Sequence, residues 1–326
     1  MKRSSSYQPG LAWFATLSSV WVFVLVTLGA FTTSIGAGMV FPDWPLSHGS
    51  VNPEGWLTDL AMFAEHSHRL SGAMMGLIVI GLAVWLHRRE ERAWLRRLGW
   101  WALAIVVVQG LIGGKRVLLD GLPVPGFEMT LGQMLRIPHG VLAQVFVCVL
   151  FAIAAGLSRT WIERNGGLSG ASAEATRRLG FWCLFLLLAQ LWIAAAMRHN
   201  YAGLAIPYFP WSTAERDWLP LAWDYRVTLH FAHRVMAVVL AVVIGLYVRA
   251  LWRDPAVSPF LRRLGVGLLV LLAVQILLGG KVIWTGRNAY VTTLHVIVGA
   301  LTLATTFLAV FFSSRTSLDG NSARPA

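Results

Sequence analysis

Two cysteines, Cys148 and Cys183, are all that 326 residues contain, and both fall inside long apolar runs. A thiol in that setting is ordinarily a small core residue, so a disulfide framework is not indicated and a thiolate metal site lacks its ligands. Charge is equally scarce. Only 13% of residues are charged against 56% hydrophobic, with a mean hydropathy of +0.63. That balance excludes an ordinary soluble domain and marks an all-α integral membrane protein. Acidic residues are scarcest, 15 against 27 basic, which leaves a net charge of +12. An excess of that size raises nucleic acid as a partner, but the placement of the basic residues argues for a membrane instead. They gather after alternate apolar runs, at Arg88, Arg89, Arg92, Arg96 and Arg97, at Arg159, Arg164, Arg177 and Arg178, and at Arg249, Arg253, Arg262 and Arg263, with Lys2, Arg3 and Arg315 at the ends. This is the positive-inside pattern of a multi-pass protein of a bacterial-type plasma membrane with both termini cytoplasmic.

Long hydrophobic runs are what the chain does have. Eight are present, at about 13–34, 66–87, 98–117, 138–157, 180–198, 229–250, 264–284 and 291–312, each near the roughly 20 residues that cross a bilayer as a helix. The first has no Ala-x-Ala-like site and reads as a span rather than a cleaved leader. The second four runs echo the first four. Gln109-Gly110-Leu111-Ile112-Gly113-Gly114-Lys115 returns 166 residues later as Gln275-Ile276-Leu277-Leu278-Gly279-Gly280-Lys281. Glu65-His66-Ser67-His68-Arg69 is answered by His230-Phe231-Ala232-His233-Arg234, and His139 by His295. The expected architecture is therefore two repeated four-helix bundles, residues 1–160 and 179–326, joined by a Gly- and Ser-containing cytoplasmic linker at 161–178.

Four of the nine histidines, His68, His139, His233 and His295, head even-numbered runs at matching depth. A lone histidine on an apolar face is usually a satisfied core residue, but two repeat-related pairs suggest axial ligation of haem from facing helices. Zinc is the rival, although it ordinarily takes three or four protein ligands and each half offers only two matched histidines. Arg69, Arg234, Lys115 and Lys281 stand where they could meet carboxylates such as haem propionates, or else simply snorkel from helix ends. Glu65 breaks the symmetry, since its counterpart is His230. It is a candidate acid/base or cation-stabilising group, with pairing to Arg69 as the alternative.

In order and spacing, Gly38-x-x-x-Pro42-Asp43-Trp44-Pro45, Glu65-x-x-His68-Arg69, Gly113-Gly114-Lys115, His139, His233-Arg234, Gly279-Gly280-Lys281 and His295 resemble the haem A synthase family across all eight spans. The resemblance implies oxidation of the C8 methyl of haem O to a formyl group. It implies a fixed haem b between His233 and His295, substrate haem O near His68 and His139, and Glu65 as the catalytic carboxylate. Expected partners are haem O synthase, the cytochrome oxidase assembly machinery, lipid, an electron acceptor of unknown identity and, through small-residue helix faces, a second copy of the chain. Some members carry a cysteine pair in the first outer loop; those places are Phe41 and Ser47 here, so no redox-active disulfide is available there. Two readings of other classes share the fold: a non-catalytic bis-histidine cytochrome, and an assembly factor that hands haem on unchanged.

Overall fold

The computed structural model describes residues 3–163, 168, 173–254 and 257–315. Among them are nine α-helices and, beyond isolated bridges, no strands: α1 (Pro9–Ser34), α2 (Leu60–Arg89), α3 (Ala93–Leu118), α4 (Leu131–Leu157), the short α5 (Arg159–Glu163), α6 (Ala173–His199), α7 (Tyr225–Arg253), α8 (Pro259–Trp284) and α9 (Ala289–Ser313). All except α5 are long and apolar enough to cross a membrane. The all-α, eight-span expectation holds. The segment expected as a linker lies outside the described residues at 164–167 and 169–172. Its ends are helical, in α5 and in the first turns of α6.

Local chemistry sets where several helices begin. The side chain of Asp59 accepts the Met62 N–H, Asp224 that of Val227, Ser258 that of Leu261, and Asn288 those of Tyr290 and Val291, while Thr130 and Gln133 form a reciprocal capping box. Each satisfies donors that a helix start leaves open. The helices consequently begin ahead of the apolar runs. His68, His139, His233 and His295 then lie about two turns inside their helices, roughly 9–12 Å along the axis at 1.5 Å per residue. Pro138, the first residue of the fourth apolar run, is inside α4 because the Thr130 cap starts that helix earlier.

The long helices close into two rings. In one, α1 packs on α2 and α4, α2 on α3, and α3 on α4; in the other, α6 packs on α7 and α9, α7 on α8, and α8 on α9. Each ring has its own apolar cluster, one including Met75, Leu82, Leu150 and Ile153, the other Cys183, Ile244, Tyr247 and Leu268, with Trp94 packed against both. Both cysteines are buried and free. Among helices in lipid, close backbone approach does much of the joining. A Cβ on Gly99 would come within 2.8 Å of Leu86, and one on Gly180 within 2.7 Å of Val310. The rings meet where α1 and α4 lie on α9 and where α4 lies on α6. Across that seam Arg198 of α6 donates to the Ala30 carbonyl and to Ser34 Oγ, both at 2.9 Å, and Thr293 of α9 donates to Ser34 at 3.1 Å.

Candidate functional site

Both histidine pairs lie toward the end of the molecule that carries loops 35–59, 119–130, 200–224 and 285–288. His233 and His295 face each other from α7 and α9 with ring centres 6.4 Å apart. Two imidazoles binding one metal ion from opposite sides, at about 2 Å per bond, have ring centres about 6 Å apart. In the first ring of helices, His68 and His139 lie within charge range of each other. His68 Nδ1 is 3.2 Å from the Leu25 carbonyl, an acceptor only, so this nitrogen carries the proton and Nε2 keeps a free lone pair. The Nδ1 atoms of His139, His233 and His295 are buried without a hydrogen-bond partner. An unpartnered imidazole nitrogen in an apolar bundle is costly unless a ligand engages the ring.

Glycines make the room for these rings. A Cβ on Gly29 would lie 2.7 Å from His68 Cε1, one on Gly113 3.2 Å from His139 Cε1, and one on Gly279 3.4 Å from His295 Cε1. The second glycine of each Gly-Gly pair has a different task. Gly114 is covered by the Trp44 indole, and a Cβ on Gly280 would meet the Phe209 ring at 2.9 Å. Each pair thus seats an imidazole on one residue and a loop aromatic on the next.

The arginines beside the histidines bind the loops. Arg69 donates from Nη1 to the Asp43 and Leu46 carbonyls, both at 2.7 Å, and from Nη2 to the Phe41 carbonyl at 2.8 Å and to Glu65 at 2.7 Å. Arg234 donates in the same manner to Trp211, Ile206 and Tyr208 carbonyls at 3.0, 3.0 and 2.6 Å. Glu65, 1% exposed, also accepts the Val40 and Phe41 N–H groups at 2.7 and 3.2 Å. Its counterpart His230 accepts the Ile206 N–H at 3.2 Å through Nδ1. Both residues therefore anchor the loop over their own histidine pair. Lys115 and Lys281 are exposed. His66 is buried, with Nδ1 3.0 Å from Ser47 Oγ and its ring against Phe41 and Trp56, so it holds residues of the first outer loop from below. In the same loop Asp43 accepts the His48 and Gly49 N–H groups. Partial burial alone would raise its carboxyl, but those two donors and the Arg69 charge hold it below its ordinary 3.8.

Several residues near the pairs are not among the candidates that the sequence offers. Arg116 is within charge range of His68, His139 and Glu65, and His199, from α6 of the other ring, is within range of His139. Gln109 and Gln190 donate to the carbonyls of His139 and His233 at 3.0 Å, and Gln275 lies 3.4 Å from His295 Nε2.

A profile of the family described as cytochrome oxidase assembly protein matches residues 12–307, from α1 into α9. The chain belongs to that family. Curated proteins named heme A synthase are among its relatives. The one from Halalkalibacterium halodurans is 25% identical over 315 residues, covering 93% of this chain and 96% of its own. That from Geobacillus kaustophilus is 26% identical over 298 residues, covering 88% and 86%, and that from Shewanella oneidensis 24% over 306 residues, covering 82% and 86%. The matched stretch, residues 12–307, includes both histidine pairs and both outer loops.

Proposed function

We propose that the protein is a haem A synthase, an oxidoreductase that converts the C8 methyl of haem O into a formyl group for cytochrome oxidase assembly. The observation that carries the reading is the facing of His233 and His295 at 6.4 Å in a chain of this family. Among the described residues no cluster of three or more His, Cys, Asp or Glu is placed to hold a metal ion, so the residues present would suit a haem held by two histidines better than a zinc ion with three or four protein ligands. In this reading His233 and His295 hold a resident haem b, while His68 and His139 receive haem O as substrate. The resident group, when bound, supplies one-electron chemistry. The chain supplies the rest. Gly113 and Gly279 keep space beside His139 and His295, and Arg69 and Arg234 fasten the roofing loops. Glu65 presents a carboxylate one turn from His68, where it can accept a proton from water as that water attacks the oxidised methyl carbon. The net change adds an oxygen from water and removes protons and electrons, which leave to an acceptor outside the chain.

The arginine-rich end of the bundle faces the cytoplasm in this reading, together with both termini, and both histidine pairs lie toward the outer leaflet of the plasma membrane. Haem O synthase upstream and the oxidase assembly machinery downstream are the partners that the chemistry requires. The test is to extract the haems from cells producing this protein together with a haem O synthase and to weigh them. Haem A is the expected product; haem O unchanged, with haem b bound, would identify a non-catalytic cytochrome or carrier.

A further inference from the structure

We infer that Arg116 is the carboxylate-binding residue of the first histidine pair and the feature that distinguishes the transient site from the resident one. This deepens the reading above and rests on it, since it takes the flat ligand of His68 and His139 to be a porphyrin bearing carboxylates. Gly113 and Arg116 are three residues apart on α3 and share a face. The His139 ring covers Gly113, so Arg116 stands one turn closer to the loop end, above that imidazole and within charge range of both His68 and His139.

Hydrogen-bond accounting supports it. Nη1 and Nη2 of Arg69 are fully used by three loop carbonyls and Glu65, the charge of Arg136 is paired with Asp120 through Nη2, and Arg198, which lies within charge range of His295 in the other pair, is tied through Nη2 to Ala30 and Ser34 of α1. Among the described residues Arg116 has a single acceptor, the Gly38 carbonyl, 3.1 Å from Nη1. Glu65 and Asp120 are each neutralised by another arginine. The charge of Arg116 is left over, with its remaining donors free. A planar fork of that kind binds a carboxylate through two parallel hydrogen bonds. In the second ring the residue three past Gly279 is Val282, so the other pair has no such group at this place.

The experiment titrates haemin, and separately its dimethyl ester, into the full-length protein in detergent, following the Soret band. Substitutions His68→Ala and His139→Ala mark the component due to the first pair. In that component the wild-type protein should bind haemin at least about tenfold more tightly than the ester, as expected for losing a charge-assisted pair. Arg116→Leu should lower haemin affinity to that of the ester and leave the ester unaffected, and Arg116→Lys should recover part of the difference. Haemin binding that needs His68 and His139 but is unchanged in Arg116→Leu would overturn the assignment while leaving the substrate reading intact. Haemin binding indifferent to both histidines would end both. The ester comparison in the wild-type protein needs no variant to fold: equal affinities there would also refute it.

Discussion

Replacing Glu65 with glutamine separates the anchoring of the loop, seen in its contacts, from the proposed role of reacting carboxylate. The wild-type oxygens accept three donors, Val40 N–H, Phe41 N–H and Arg69 Nη2. A glutamine has one amide oxygen for these, so satisfying the two backbone groups turns its NH2 toward the guanidinium. The loss is one charge-assisted hydrogen bond in a buried setting, about 1.5–3 kcal/mol. The full penalty for breaking a buried ion pair, about 3–5 kcal/mol, does not apply, because Arg69 is 14% exposed and keeps three carbonyl partners. A value near 2 kcal/mol corresponds to about a 30-fold rise in loop opening, which hydrogen exchange at Val40 and Phe41 should register. Haem extraction should show haem b retained and haem A absent. Glu65→His is the decisive companion. It copies the arrangement in which His230 accepts the Ile206 N–H, so it should restore much of the amide protection without restoring haem A. If Glu65→His makes haem A, or Glu65→Gln makes it at the wild-type rate, anchoring is all that this residue does and the catalytic assignment is wrong.

Three further expectations follow from the geometry. His233→Ala and His295→Ala should each remove the absorption bands of a bis-histidine haem from purified protein, and retention of those bands in either would dissociate the 6.4 Å pair from cofactor binding. Gly29→Ala places a methyl group 2.7 Å from His68 and should cost about 1–3 kcal/mol of overpacking, weakening haemin binding at the first pair only; Gly76→Ala, with nothing within 4 Å, is the matched control and should leave binding unchanged. For Asp43, whose folded value lies below 3.8, the turn closed by His48 and Gly49 gains stability above the unfolded value and loses it as pH falls through the folded one. Amide protection of those two residues should therefore persist through the histidine range near 6.5 and fail only below about pH 4; failure near 6.5 would refute this account.

The spans were legible because lipid demands long apolar runs, and the histidines because a polar residue repeated at one depth in two halves has few structural excuses. Their depth within the helices was less plain, although its signal was present. Thr130-x-x-Gln133 is a capping box, and Asp59, Asp224 and Asn288 are N-caps, and each moves a helix start ahead of its apolar run. The arginine assignments show what pattern alone does not carry. Arg69 and Arg234 stand beside histidines, but their acceptors are carbonyls of loops more than 20 residues earlier in the chain, and no spacing rule reveals a loop folding back. Arg116 stands one residue beyond the repeated Gly-Gly-Lys, where the second half has Val282, so the repeat gives it no signal. Repetition directs attention to what the halves share, whereas the element that sets one apart has no echo to announce it.

His68 and Arg69 are adjacent, as are His233 and Arg234, and the arginine of each couple is tied to its overhead loop by three main-chain oxygens. Lifting either cover thus pulls on the very segment of helix that aims the imidazole. If these histidines grip a ligand as proposed, lid and ligand are one moving part: whatever unseats the cover also loosens the grip below, and a molecule bound firmly underneath keeps the cover shut.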